Sequence, residues 1–442
     1  MALDFGWHGQ VLTLTARSII HEVMKKVTFL CIGAGGRGTT YCSFALEQPG
    51  RLQVVGVAEP RELFRQRLVQ AHQIAPPFVF NDWREAARRP KMADAVIIAT
   101  QDAMHTEPAI AFAKRGYHVL LEKPMAPTAT DCRRIITAVK RHEVLFAVCH
   151  VMRYTTYTRR LKALVESGTI GDVVSIQHLE PVGYWHQAHS FVRGNWRNTA
   201  ESTFMLLAKS CHDIDWLRHI MAVPCQAVSS FGGLNHFRKE EKPAAAGAAL
   251  RCLDCAYEPQ CVYSAKKIYL GRFAKGDKGW PVNVVAPVVT AENLDAALRQ
   301  GPYGRCVYEC DNDVVDHQVV NLQFSGNRTA SFTMTAFNAA GHRQTRIFGT
   351  QGMFEGDGVT IRHTDFLTDK VTEINTETNP DGSLLSGHGG GDFGLMDSFV
   401  QAVAENNPAH ILSGPDETLE SHLMVFAAEQ ARLKNRVIEL KQ

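Results

Sequence analysis

The chain has 442 residues, 45% of them hydrophobic and 21% charged, and a formal net charge of +2. That length is enough for two domains with cores of their own. The near-neutral balance gives no electrostatic case for nucleic acid or an anionic membrane, and no apolar run approaches the roughly 18 residues that a membrane helix needs.

Residues 1–24 lack the basic start and unbroken apolar core of a secretory signal. Met24-Lys25-Lys26 reads as a second natural start, so 1–24 are an N-terminal extension of unassigned role. The run VTFLCI (27–32) predicts a buried strand. GAGGRG follows, with Gly33, Gly35 and Gly38 in the G-x-G-x-x-G spacing, then a helix-like stretch and a second strand, 52–58, that ends at Glu59. ADAVIIAT (93–100) predicts another buried strand, 106–115 a helix, 117–121 a strand, 128–142 a helix and 144–148 a strand. This alternation predicts an α/β fold with a doubly wound parallel sheet of the Rossmann kind over 25–149.

The rhythm changes after residue 150. A helix is predicted over 155–167, and longer runs follow, among them DVVSIQHLEP, DHQVVNLQFSG, RTASFTMTAF and GMFEGDGVTIRHT. Their apolar–polar alternation predicts a sheet with one covered and one open face. Residues 150–442 therefore form a second α/β domain on a mixed, largely antiparallel sheet, ending in an amphipathic helix from Asp416. Within it, 236–310 are rich in Lys, Arg, Gly, Pro and Cys and read as an insertion with little sheet or apolar content.

The glycine loop follows a strand, opens a helix and has an acid 21 residues after its last glycine. That context is what a dinucleotide site requires. Residues 33–38 (Gly33, Gly35, Gly36, Arg37 and Gly38) supply the tight turn and the close approach to a pyrophosphate. Glu59 accepts from ribose hydroxyls, which favours NAD, while Arg61 and Arg65 lie close enough to admit NADP.

LLEKPMA (120–126) puts Lys123 at the carboxyl end of a strand, where such sheets bind ligands. Together, GAGGRG, IIATQDAMH, LLEKPMA, RY (153–154), GTIGDV and CHDID (211–215) make residues 25–442 resemble the glucose–fructose oxidoreductase and inositol dehydrogenase family. The resemblance implies that Lys123 lies beside the nicotinamide and the substrate hydroxyl, with a cis proline peptide after it, and that His212 faces it from the second domain. It also implies that Thr100, Asp102, His105 and Glu122 flank the nicotinamide ribose, that Arg153 and Tyr154 meet substrate, and that the open sheet mediates a homo-oligomer, a dimer or tetramer. Partial burial beside a positive nicotinamide favours a neutral lysine that can take a hydroxyl proton.

One departure stands out. Many members carry an aspartate four residues before the histidine, where this chain has Ala208 beside Lys209. Lys209 either faces an anionic or polyhydroxylated substrate or is a solvated helix residue. Asp215, one turn after His212, anchors the ring or caps the packing. GYWHQAHSFVRGNWRN (183–198) offers the aromatic faces and fork donors that a sugar site uses, so Tyr184, Arg193 and Trp196 are substrate candidates.

There are eleven cysteines. Six are scattered singly, which suits a reducing, cytoplasmic compartment. The others cluster as Cys252-x2-Cys255-x5-Cys261, followed by Cys306 and Cys310. Three thiols in ten residues plus a distant fourth, Cys306 or Cys310, resemble a structural zinc site. An iron–sulfur cluster and unligated or redox-active thiols are the alternatives.

The sequence thus predicts an NAD-dependent (NADP possible) oxidoreductase acting on a hydroxyl-bearing carbon of a sugar, glycoside or cyclitol, with Lys123 as acid/base and His212 orienting the oxygen. The rival readings are a glycosidase that uses a retained NAD for transient oxidation and elimination, a non-catalytic NAD-binding protein, and a scaffold.

Overall fold

A computed structural model describes residues 25–377, 385 and 387–440; the N-terminal extension lies outside the described residues. Strands β1 (Val27–Ile32), β2 (Leu52–Ala58), β3 (Val79–Phe80), β4 (Ala95–Ile98), β5 (His118–Leu121) and β6 (Phe146–Val148) form one parallel sheet in the order β3-β2-β1-β4-β5-β6. Its central strands are buried on both faces, which is why β4 reads as the unbroken apolar run AVII. Helices Thr106–Lys114 and Ala129–Arg141 cover one face through Phe112, Ile135 and Ile136.

The other face is completed from far down the chain. Helix Gly391–Glu405 lays Leu395, Met396, Phe399 and Val400 against Phe29, Tyr41 and Phe44, with the Phe29 and Phe399 rings 5.9 Å apart. The nucleotide-binding unit is therefore not closed by residue 149 alone. The sequence reading assigned no element to 391–405.

The second sheet has nine strands: β7 (Val173–Pro181), β8 (Cys225–Gly233), β9 (His317–Phe324), β10 (Arg328–Thr335), β11 (Gln344–Gly349), β12 (Gly352–Gly356), β13 (Thr360–Asp365), β14 (Val371–Asn375) and β15 (Ile438–Glu439). The order is β14-β13-β12-β11-β7-β10-β9-β8-β15, and only the β7–β10 pair is parallel. Alternation is clean in β9, where Val320, Leu322 and Phe324 enter the core and Val319, Asn321 and Gln323 face out. Helices Thr156–Glu166, Cys211–Met221 and Pro415–Lys434 cover the apolar face. The opposite face is polar and open, lined by Gln177, Ser331, Thr333, Arg346, Glu355 and Arg362.

Residues 236–310 leave the sheet after β8 and return to it at β9. They contain short helical turns and one longer helix, Ala291–Gln300. Contrary to the expectation of low apolar content, this segment has its own core, including Phe237, Tyr263, Ile268, Tyr269, Leu294, Leu298 and Val307. Its aromatics alternate with charged residues, so the core was hidden in a window that averages to polar.

Candidate active site

The carboxyl ends of β1, β4 and β5 open into one crevice. Gly33 takes φ +90°, and a Cβ there would stand 2.6 Å from the Ala99 carbonyl oxygen. A Cβ on Gly38 would stand 2.0 Å from the Gly33 carbonyl oxygen, so both positions exclude any side chain. Gly36 faces open space within 4 Å. A bare turn with free space in front of it fits the pyrophosphate of a dinucleotide.

Glu59, at the end of β2, is buried and already engaged. One oxygen accepts from the Ala34 N–H at 2.9 Å, the other from the Arg61 N–H at 2.9 Å, and the Arg61 guanidinium grips both. Burial alone would raise this carboxyl, but the Arg61 contacts hold it below the usual carboxylate range. Arg65 donates to the Glu59 carbonyl oxygen at 2.6 Å. The acid thus braces the glycine loop.

Lys123 ends β5, and its bond to Pro124 is cis. Its Nζ donates to the Ala208 carbonyl oxygen at 2.7 Å. Ala208, four residues before His212, thus offers the lysine a backbone acceptor. His212 follows on the helix Cys211–Met221 and is buried. Its Nδ1 has no partner, and burial, with Lys123 and His150 nearby, pushes its pKa well down, which keeps the ring neutral. A neutral imidazole beside an amine can donate to or accept from a substrate oxygen.

Asp102 lies in the same crevice. Burial raises its carboxyl pKa despite nearby Lys123, and the Trp196 indole N–H donates to it at 3.3 Å. Thr100 at the end of β4 places its hydroxyl on the Met104 carbonyl, 3.1 Å away. Lys209 is neither solvated nor free: its side chain is 16% exposed and pairs with Glu180 at 2.7 Å. Arg343 joins Glu180 (2.6 Å) to Asp213 (2.8 Å), which also meets His178 at 3.2 Å. Burial lowers the Lys209 pKa, with Glu180 and Asp213 opposing it.

Several expected contacts are placed elsewhere. Glu122 accepts from Arg37 at 2.8 Å and from the Tyr41 hydroxyl at 2.9 Å, so it ties the glycine loop to the lysine strand. His105 is fully buried, with its nitrogens 2.8 Å from the Pro124 oxygen and 3.1 Å from the Thr100 oxygen; it staples the two loops rather than facing the ribose. Arg153 makes a two-pronged ion pair with Asp215 at 2.7 and 2.8 Å, and Tyr154 bonds Ser413. Both are buried, their bonds tie the domain junction together, and Asp215 pairs with Arg153. Tyr184 packs against Tyr263. Arg193 is fully buried in the insertion. A basic or aromatic residue in a polar-looking loop carries no sequence mark of such burial.

The sequence reading missed His388. The turn 387–390 sets its ring 6.3 Å from that of His212, and its Nδ1 lies 3.1 Å from Asp392. Asp392 in turn takes Arg37 of the glycine loop at 2.5 Å. Burial would raise Asp392, but His388 and Arg37 bring its carboxyl down to about 2. The signal available was GHGGGD, three glycines ahead of an apolar helical stretch.

Cys252, Cys255, Cys261 and Cys306 line one small pocket with Arg193, and Cys310 lies outside it. Among the described residues no three His, Cys, Asp or Glu side chains stand at metal-ligand spacing, so the expected zinc site is not preassembled.

A parallel sheet with a glycine turn, a lysine at the crevice and a histidine from a second sheet domain define a nucleotide-dependent oxidoreductase. Family profiles match this order: the oxidoreductase family's NAD-binding Rossmann fold over residues 27–150 and its C-terminal alpha/beta domain over 162–440. The chain belongs to the glucose–fructose oxidoreductase and inositol dehydrogenase family of NAD-binding oxidoreductases.

YteT of Bacillus subtilis (strain 168), named as an oxidoreductase, is 24% identical over 345 residues, 73% of this chain and 76% of that protein. A 2,7-anhydro-N-acetylneuraminate hydratase of Mediterraneibacter gnavus is 28% identical over 210 residues, 48% of this chain and 53% of that protein. An oxidoreductase from Agrobacterium radiobacter, solved with NAD+, L-tartaric acid and magnesium, superposes with a TM-score of 0.67 at 13% identity, covering 94% of this chain and 98% of that one. No helix among the described residues is long and apolar enough to cross a membrane.

Proposed function

We propose that this oxidoreductase transfers hydride between NAD(P) and a hydroxyl-bearing carbon of a sugar, glycoside or cyclitol. The observation that carries this reading is the 2.7 Å bond from Lys123 Nζ to the Ala208 carbonyl, which brings the lysine to the segment that leads into His212. The nucleotide supplies the hydride acceptor or donor. Gly33, Gly35, Gly36, Gly38 and Glu59 hold it, and Thr100 and Asp102 line the nicotinamide end.

In the oxidising direction the Lys123 amine takes the hydroxyl proton as the carbon gives up hydride, and the protonated amine returns it in reverse. His212, kept neutral, hydrogen-bonds the same oxygen and fixes its angle to the lysine. Trp196 and Asp102 close one side of the crevice, and the Lys209–Glu180 pair offers a polar wall. NAD is favoured over NADP because the Glu59 carboxylate repels a 2′-phosphate, with Arg61 as the opposing influence.

A second reading is favoured by a second imidazole, His388, 6.3 Å from the His212 ring, and by the relative named as a hydratase. A retained nucleotide would oxidise the sugar transiently, acidify the neighbouring C–H and permit elimination of a glycoside, with no net redox change. The eleven free thiols support a cytoplasmic setting, and the open polar face of the nine-stranded sheet supports a homo-oligomer.

The test is to denature the purified protein, identify any nucleotide released, and follow turnover on a panel of sugars, glycosides and cyclitols. Net reduction of added NAD(P) is the expected result. Stoichiometric retained nucleotide with product but no net redox change would favour elimination. Absence of nucleotide binding would overturn both readings.

A further inference from the structure

Arg193 poses an electrostatic problem. Its side chain is 0% exposed. Nε donates to the Arg305 carbonyl at 2.7 Å, Nη2 donates to the Tyr263 carbonyl at 2.9 Å and to Cys252 Sγ at 3.4 Å, and Nη1 has no partner. The acidic groups that act on it most strongly are thiols and a phenol: Cys252, Tyr269, Cys310 and Cys261. The one carboxylate lining the same pocket, Glu258, is taken by the Ser264 hydroxyl and by Lys266 at 3.2 Å. A guanidinium removed from water without an anion costs several kcal/mol by general estimate, roughly the penalty of an unpaired buried charge. Thiols in their ordinary neutral form do not offset it.

Four thiols surround the same space. Cys252, Cys255 and Cys261 come from one end of the insertion and Cys306 from the other, joined by an antiparallel bridge between Arg251 and Arg305 and by the Cys306 N–H on the Leu250 carbonyl at 2.8 Å. The fifth thiol, Cys310, turns away and donates to the Cys306 carbonyl at 3.2 Å. That separates two candidates that sequence spacing left equal.

We propose that Cys252, Cys255, Cys261 and Cys306 bind one Zn2+ as thiolates and that Arg193 is its buried counter-cation. Four thiols release four protons, and four thiolates around one divalent ion leave a net charge of −2, which the guanidinium offsets in part. The sulfurs are not yet at ligand spacing, so the ion draws them together on binding. Four protein ligands leave no open position, which makes the ion structural. Arg193 is three residues from Trp196, whose indole holds Asp102 in the crevice, so the metal fixes the strand of chain that carries this residue.

The test uses the full-length protein purified without chelator. Elemental analysis is expected to give one zinc per chain that survives dialysis. Exchange with Co2+ is expected to give sulfur-to-metal charge-transfer and tetrahedral d–d absorption. Cys255→Ser and Cys306→Ser should lose the metal, whereas Cys310→Ser should keep it. Arg193→Met should weaken zinc retention by about 10- to 100-fold, and Arg193→Lys should restore part of that. If the cysteine variants do not fold, the wild-type Co2+ spectrum still decides. Metal-free protein with these thiols open to a thiol reagent, or a mass two hydrogens lower per disulfide, would overturn the proposal, as would equal metal loss from Cys310→Ser.

Discussion

The crevice and the insertion both bury cations, and they neutralise them differently. At the domain junction the fully buried Arg153 meets Asp215 and Glu417, and the partly exposed Arg37, Arg343 and Lys209 meet Glu122 and Asp392, Asp213 and Glu180, and Glu180. In the insertion Arg193 meets sulfur and carbonyl oxygen only. The first region can stand as a closed set of charges. The second lacks a carboxylate for its guanidinium, the charge that the proposed zinc thiolates would supply. Complete pairing marks a scaffold that orients other groups, here the proposed acid/base Lys123 and its partner His212.

The largest test of this contrast is Asp215→Ala. It removes the two-pronged partner of the fully buried Arg153, leaving Glu417 on one nitrogen alone, and should cost about 3 kcal/mol in denaturant unfolding. A loss under about 1 kcal/mol would mean that the junction charges are not a closed set.

Acidification probes the same region through its histidines. Burial first of all pushes His150 down to about 3 and His219 to about 4, and it lowers His212 and His422 as well. These rings are neutral in the folded protein, and an unfolded histidine titrates near 6.5 by the reference scale, roughly. Below that value the unfolded chain binds more protons than the folded one. Their stabilisation is therefore complete above about pH 6.5 and lost as pH falls from there toward the folded values. The melting temperature should drop steadily between about pH 6.5 and 4.5. A flat profile would contradict neutral, buried imidazoles at the junction.

The smallest effect sharpens the cofactor assignment. Glu59→Ala removes both the anion facing the ribose and the partner of Arg61. NAD should bind more weakly by about 1–2 kcal/mol, roughly tenfold, while NADP should hold or gain as Arg61 becomes free for a phosphate. Equal losses for both nucleotides, measured by fluorescence titration, would assign Glu59 to bracing the loop alone.

The regular parts of this fold were legible because their patterns are local. The strand at 27–32 was placed to the residue, and helices at 106–115, 128–142 and 155–167 to within about a residue at each end, since short apolar runs and 3.6-residue periodicity survive any context. Gly33, Gly38 and Lys123 were legible because a glycine turn and a strand-end lysine are dictated by backbone geometry. Arg153, Tyr154, Glu122, His105 and Arg193 were not. Whether an arginine meets substrate, an aspartate or a thiol depends on residues 60 or more positions away, as with Arg153 and Asp215. His388 escaped for the same reason: its neighbours His212 and Arg37 come from other elements.

The most direct test of the hydride-transfer site is Lys123→Ala, with nucleotide binding and turnover measured on the same preparation. Turnover should fall by about 10²–10⁴-fold with nucleotide affinity nearly unchanged, since the lysine moves a proton and the glycine turn holds the cofactor. Turnover within a few-fold of wild type would contradict Lys123 as the acid/base.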